Sequence, residues 1–242
     1  MKIAVITPYY KEPIAFLRKC HESVLSQDIK ADHFFISDGF PNQELMNWDI
    51  KHISLSEAHQ DNGNTPRGIG AMLAYAEGYD FITFLDADNW FHPNHIQSMV
   101  ELWEKTQADV CCSFTSIHTL DGDEMVGLQA SDQLTFQHVD TSCYFIHRNA
   151  FASLSIWLDM PKILSPVCDR IFLAGLKHKK YKIAFSQQRS VAFRSQYKAD
   201  YVAAKLAPPP NAKESVADEA EQYLLSLEGV RETVNRLGFY PL

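Results

Sequence analysis

Apolar positions along the first half of the chain alternate between two rhythms. "KIAVIT" (2–7) is a β-branched run stopped by Pro8, and "PIAFLRKCHESVLSQ" (13–27) then carries Ile14, Leu17, Cys20, Val24 and Leu25 at helical spacing. "HFFIS" (33–37) is a second strand closed by Asp38-Gly39, and "KHISL" (51–55) is a short third. The turn-rich "SEAHQDNGNTPRG" leads into a helix over "AMLAYAEG", a strand over "DFITFL", a helix over 93–105 and a strand over "ADVCCSF". Strands alternating with helices of this length predict right-handed β-α-β units and a mostly parallel sheet.

The second half changes character. "SIHTLDGDEMVGL" predicts a hairpin turning at Asp121-Gly122, "SCYFIH" (142–147) a strand, and 165–178 a helix. Stretches 129–141 and 186–206 show little periodicity and are expected as loops that order over a ligand. Pro208-Pro209-Pro210 ends the compact part, giving a domain over 1–207 and a helical tail over 208–242. Within the domain, a first half (about 1–113) and a second (about 114–207) divide the work. In the tail Val216, Ala220, Tyr223, Leu227, Val230, Val234 and Leu237 recur at steps of four and three. That seam fits either a terminal helix docked on its own domain or a homodimer contact over 214–237, with Gly229 weakening a coiled coil.

Composition narrows the function classes. A formal charge of −8 and only one short basic cluster, "KHKK" (177–180), argue against a nucleic-acid binder. No apolar stretch approaches the roughly 18 residues of a membrane span, and the N-terminal apolar run is too short for a secretory signal. Five scattered cysteines without a Cys-x-x-Cys spacing read as reduced packing thiols. The expectation is a cytoplasmic protein, peripheral at the inner face of the membrane at most.

The chemistry concentrates where strands end. Thr7-Pro8-Tyr9-Tyr10, Ser37-Asp38-Gly39 and Asp86-Ala87-Asp88 all sit at predicted strand ends, the crevice where open parallel sheets bind ligands. An extended backbone through 86–88 would send both carboxylates to one side, where they repel unless a cation intervenes. A hard ion such as Mg²⁺ or Mn²⁺, completed by water and substrate phosphates, suits such an oxygen-only set. A solvated turn remains open on the residues alone. An apolar strand followed by Asp-x-Asp also occurs in haloacid-dehalogenase-like phosphatases. There it lies on an N-terminal strand and precedes Gly-Thr, whereas here it starts at residue 86 and precedes Asn89-Trp90.

Five segments in order, "VITPYYKEPIAFLRKCHESVLSQ", "FFISDGF", "NTPRGIGAMLAYAEGYDFITFLDADNWFHPNHI", "VDTSCYFIHRNAF" and "SPVCDRIFLAGLKHKKYKIAF", resemble family 2 of the glycosyltransferases over roughly residues 2–195. The resemblance implies a GT-A (Rossmann-like) α/β fold, a nucleotide-sugar donor (a UDP-sugar), a divalent cation (Mn²⁺ or Mg²⁺) and inversion at the anomeric carbon. Carried over, Thr7, Pro8, Tyr9, Glu12, Asp38, Arg67, Asp86 and Ala87 would bind the nucleotide, with Tyr9 stacking on the base and Asp38 accepting from it. Asp88, with Asp86, would hold the metal, and Asp169 would be the general base. Trp90, His138 and Asp140 are acceptor-side candidates, with burial the alternative for Trp90, while His92 and His95 are expected to face outward. The acceptor would be a saccharide or lipid-linked saccharide, in surface polysaccharide or lipopolysaccharide synthesis.

Four departures from the family pattern stand out. Lys11 replaces the usual Asn, Ser37 replaces the first Asp of a pair, Asn89 stands at the third acidic position, and "VAFRSQY" lacks a metal-binding histidine. Two other classes stay open. A sugar-phosphate nucleotidylyltransferase would show a Gly-rich N-terminal loop, which "TPYYKEP" lacks, and a catalytically silent nucleotide-sugar-binding module would keep the pocket without a base.

Overall fold

The computed structural model describes residues 1–128, 136, 138–214 and 217–241. One sheet of eight strands runs through it: β1 (Ile3–Tyr9), β2 (Asp32–Ser37), β3 (Lys51–Ser54), β4 (Phe81–Phe84), β5 (Trp90–Phe91), β6 (Val110–His118), β7 (Tyr144–His147) and β8 (Ile183–Arg194). Its order is β3-β2-β1-β4-β7-β6-β8-β5. The pairs β3/β2, β2/β1, β1/β4 and β6/β8 are parallel, while β7 runs antiparallel between β4 and β6 and β5 antiparallel to β8. The expected mostly parallel sheet is thus present.

Among the described residues the α-helices are α1 (Ile14–Leu25), α2 (Asn64–Ala76), α3 (His95–Thr106), α4 (Ile156–Asp159), α5 (Cys168–His178), α6 (Lys198–Ala203), α7 (Ala217–Leu225) and α8 (Leu227–Leu237). Both faces of the inner strands are covered, which is why they read as unbroken apolar runs. Phe34, Phe35, Ile82, Phe84 and Phe145 are almost fully buried, each contributing about 1.5–3 kcal/mol relative to exposure. The five cysteines are buried and unbonded.

Several boundaries differ from expectation. β1 continues through Pro8 to Tyr9, pairing Pro8 with Ile36, because a proline costs little where its missing N–H is not needed by the ladder. Helix α2 begins at Asn64, seven residues before the predicted start: the Asp61 carboxylate accepts from Thr65 N at 3.0 Å and caps a turn that Gly63 and Pro66 had made look irregular. Gly70 is needed there, since an added Cβ would lie 2.7 Å from Ile6 Cγ2, so α2 sits close on the sheet.

Segment 186–206 is not a loop. Most of it belongs to β8 and α6, the strand's register shifting near Phe114, which obscures a period of two. Of stretch 129–141, residues 129–135 and 137 lie outside the described residues.

The tail seam is broken. Ser226 separates α7 from α8, its hydroxyl accepting from Gly229 N at 2.9 Å, and Leu227 is 69% exposed. A serine N-cap beginning a new helix interrupts the heptad phase, so the continuous 214–237 coiled-coil seam does not exist; Val216 lies outside the described residues. Ala220, Leu224 and Phe239 instead join the main core. Among the described residues no helix is long and apolar enough to cross a membrane.

Candidate active site

The carboxyl ends of β1, β2 and β4 open on a cavity of about 470 Å³. Pro8, Tyr9, Glu12, Asp38, Arg67, Asp86, Ala87 and Asp88 all line it. Parallel pairing explains the convergence, because three strands running the same way end on the same side. Neighbouring strands are about 4.8 Å apart, so Asp38 after β2 and Asp86 after β4, with β1 between them, are about 10 Å apart.

Asp38 holds one end. Its Oδ1 accepts from His59 N at 2.8 Å and pairs with His59 Nδ1 at 3.0 Å, and its Oδ2 accepts from Gln60 N at 2.9 Å. A carboxylate has four acceptor positions, so one remains on Oδ2. The loop that Asp38 grips passes close to Gly39, whose φ is +81° and whose added Cβ would lie 2.6 Å from Ala58 N. Gly39→Ala is expected to destabilise the chain by about 1–3 kcal/mol, read as a lowered melting temperature; an unchanged melt would contradict this packing.

The Asp-x-Asp segment is a turn and not a strand extension, with Asn89 N donating to Asp86 O at 2.9 Å. The two carboxylates therefore have separate surroundings. Asp86 Oδ1 accepts from Arg67 Nη2 at 2.7 Å, so the cation beside it is a guanidinium that is itself 2% exposed and packs 4.8 Å from the Trp157 ring. Asp88 forms no ion pair among the described residues and accepts from Gln196 Nε2 at 3.2 Å. Burial pushes its carboxyl up to about 6, and the Asp86 and Glu12 charges add to that. Glu12 accepts from Tyr10 N at 2.7 Å.

A divalent ion fits Asp88 on this chemistry: a half-buried carboxylate on the cavity wall that forms no side-chain ion pair among the described residues, while the Arg194 guanidinium beside it bonds the Asp88 backbone oxygen. Asp86 already shares its charge with Arg67. Among the described residues no cluster of three or more His, Cys, Asp or Glu could hold an ion unaided. One or two carboxylates plus substrate phosphates is a usual shell for Mg²⁺.

Other expected site residues stand elsewhere. Thr7 is fully buried and bonds His33 Nε2 at 2.8 Å; period two turns its side chain away from the cavity. Tyr9 reaches the wall, but its ring is 3% exposed, stacks on His52 and meets Phe35 edge-on, and its hydroxyl pairs with His52 Nε2 at 2.6 Å. A ring so committed offers no open face for a base. Tyr10, against Phe40 at 4.9 Å, is the aromatic pair beside a second hollow that shares Tyr9, Tyr10 and Glu12 with the first.

Trp90 is not on the wall either, since pairing with Ala192 turns it toward Lys19, whose ammonium lies 3.4 Å from the ring centre. His92 and His95 face inward, bonding Ser116 Oγ at 2.9 Å and Ser190 Oγ at 2.8 Å, because β5 and α3 pack against the edge of β8.

His138, Asp140 and Asp169 do not line the cavity but gather among themselves. Asp169, in the first turn of α5, forms an ion-pair contact with His138 Nε2. Arg170, its neighbour, turns away to Glu221 at 3.2 Å. Asp140 accepts from Ser142 N at 2.9 Å, and burial, followed by the charge of Asp86, pushes its carboxyl up. Ser142 Oγ in turn accepts from Asp86 N at 3.1 Å, tying this cluster to the turn that carries Asp88.

Sequence reasoning missed Gln60, Asn62, Gln196 and Lys213, all on the cavity wall. No local signal marks them, since each reaches the site through a turn or an irregular crossing.

A model of the family described as glycosyl transferase family 2 matches residues 4–152. The comparison with curated proteins found no match. Among solved structures, residues 1–349 of S. aureus TarS in complex with UDP superpose with a TM-score of 0.59 at 13% identity, covering 97% of this chain and 72% of that one. The same TarS piece in complex with UDP-GlcNAc gives 0.59 at 15% identity, covering 97% and 73%. Without ligand it gives 0.57 at 16% identity, covering 97% and 72%. At these identities the likeness speaks for the fold, which is that of the GT-A glycosyltransferases.

Proposed function

The chain belongs to glycosyl transferase family 2, and from that premise we propose that it moves a sugar from a UDP-sugar to an acceptor hydroxyl with inversion. The observation that carries this reading is the spacing of the two ends of the cavity. Asp38, with one acceptor position left, stands where a base N–H would meet it. Asp86 lies about two strand spacings away, and Asp88, carried on the turn that follows it, stands where a diphosphate would lie. The UDP and UDP-GlcNAc complexes of the similarly folded TarS support the same donor class.

In this reading Asp88 is the principal ligand of an Mn²⁺ or Mg²⁺ ion, with Asp86 beside it. The ion would supply charge neutralisation for the departing diphosphate. Arg67 fixes Asp86, and the Asn89-to-Asp86 turn fixes Asp88, so both are oriented before the donor arrives. Asp169 takes the proton of the attacking hydroxyl, with His138 holding its carboxylate at the start of α5. Asp140, whose raised pKa favours the protonated form, offers a hydrogen bond to the acceptor.

Tyr10 and Phe40, in place of Tyr9, give the base an aromatic edge. A hexose or N-acetylhexosamine as the moved group, and a surface polysaccharide or lipopolysaccharide as the product, complete the proposal.

Calorimetric titration with UDP, GDP and ADP, each with Mn²⁺ or with chelator, tests it. Saturable UDP binding strengthened by the ion is the expected result. Binding of none of the three, or of a purine nucleotide in preference, overturns the donor assignment.

A further inference from the structure

Among the described residues the cavity wall carries four carboxylates, Glu12, Asp38, Asp86 and Asp88, against two cations, Arg67 and Lys213. Arg67 is buried and spent on Asp86 at 2.7 Å. Leaving Lys213 aside, the wall carries a net of three negative charges that repel a diphosphate, and one divalent ion at Asp88 still leaves it negative before any phosphate charge is met. A further positive group is required, and Lys213 is the cation that remains. We propose that Lys213, carried on the segment that follows the triple proline, binds the β-phosphate of the donor and stabilises it as it leaves. This rests on the UDP-sugar reading above.

The position of Lys213 is built into the fold. Lys213 N donates to Gln196 O at 2.7 Å, and Lys198 N donates to Lys213 O at 2.9 Å. A parallel bridge pairs Tyr197 with Lys213. The residue is thus stitched on both sides of its backbone to the stretch leaving β8. That stretch also carries Gln196, whose amide reaches Asp88 Oδ2 at 3.2 Å. Lys213 therefore sits at the Asp88 end of the cavity, where a terminal phosphate would lie, and not at the Asp38 end.

Its acidic neighbour is occupied elsewhere, since Glu214 Oε1 lies 3.0 Å from Lys198 Nζ. No ion pair holds the Lys213 ammonium among the described residues, and the side chain is exposed, free to meet an incoming anion. Pro208-Pro209-Pro210 stiffens the approach, lowering the entropy lost when the segment is held in place. Lysine serves here as a mobile point charge that can follow a phosphate as its bond to the sugar lengthens.

The test is calorimetric titration of the full chain with UDP and with UMP in the presence of Mn²⁺, for wild type, Lys213→Gln and Lys213→Arg. Lys213→Gln is expected to weaken UDP by about tenfold or more, the scale of a hydrogen bond to a charged group, while UMP changes by less than about twofold. Lys213→Arg is expected to keep most of the UDP affinity. An exposed side chain whose backbone carries the local hydrogen bonds can be replaced without unfolding, and matching thermal melts verify this. Unchanged UDP affinity in Lys213→Gln overturns the inference, as does an equal loss for UDP and UMP. A wild type that binds no UDP fails the donor reading itself, a result distinguishable because it appears before any variant is compared.

Discussion

Asp169→Asn is expected to lower kcat by about 10²–10⁴-fold, the usual worth of a positioned general base, while UDP affinity changes by less than about twofold. The rate is read as UDP released from UDP-GlcNAc, the donor seen with TarS, with water taking the sugar in place of the acceptor hydroxyl. The substitution preserves shape and can still hydrogen-bond His138, so the ion-pair contact is weakened without opening a cavity. Asp169 does not line the donor cavity, which is why donor binding should survive its change. Full activity in the variant would remove Asp169 as the base. A chain that binds UDP but releases none, in wild type as in variant, would instead be a silent binding module.

Asp88→Asn has the second large effect, and it acts in two directions. UDP release should fall by about 10²–10³-fold, the scale of removing a group that stabilises developing charge. Stability should rise. The folded-state carboxyl is raised to about 6 from 3.8, chiefly by burial, so ionising it costs free energy in the native state.

That penalty is fully present above pH 6 and fades as pH falls toward 4. The variant's gain in melting temperature, about 2–4 °C per kcal/mol recovered, should therefore appear at pH 8 in chelator and vanish below pH 4. A gain that persists at low pH would mean the effect is not the carboxylate's charge. Losing activity while gaining stability is what a destabilised group retained for its chemistry predicts.

The inner strands and the helices between them were legible in the chain because local rules govern them. Ile3–Ile6, Phe34–Ile36 and Phe81–Phe84 are buried on both faces, which favours near-continuous apolar runs, the buried Thr83 donating its hydroxyl to Tyr144 O at 2.7 Å. Strand ends bearing Asp38, Asp86 and Asp88 followed from the same logic, since a run must stop where solvent begins. Misplaced boundaries had local causes too: the Asp61 cap hid the start of α2, and the Ser226 cap split the tail helix that a heptad count had joined.

What the sequence determined by itself, then, was the order of the main elements in the first half, the parallel sense of the first strands and the identity of the acidic residues at their ends. Only the tertiary structure decided what each side chain faces. Tyr9 and Thr7 turned into the core, Asp86 was claimed by Arg67, and Asp169 by His138. Lys213 arrived 125 positions after Asp88 to share its cavity. Periodicity reports whether a position is buried, because burial averages over many neighbours. It carries no information on which single partner completes a hydrogen bond, because that depends on two distant segments meeting within about 3 Å.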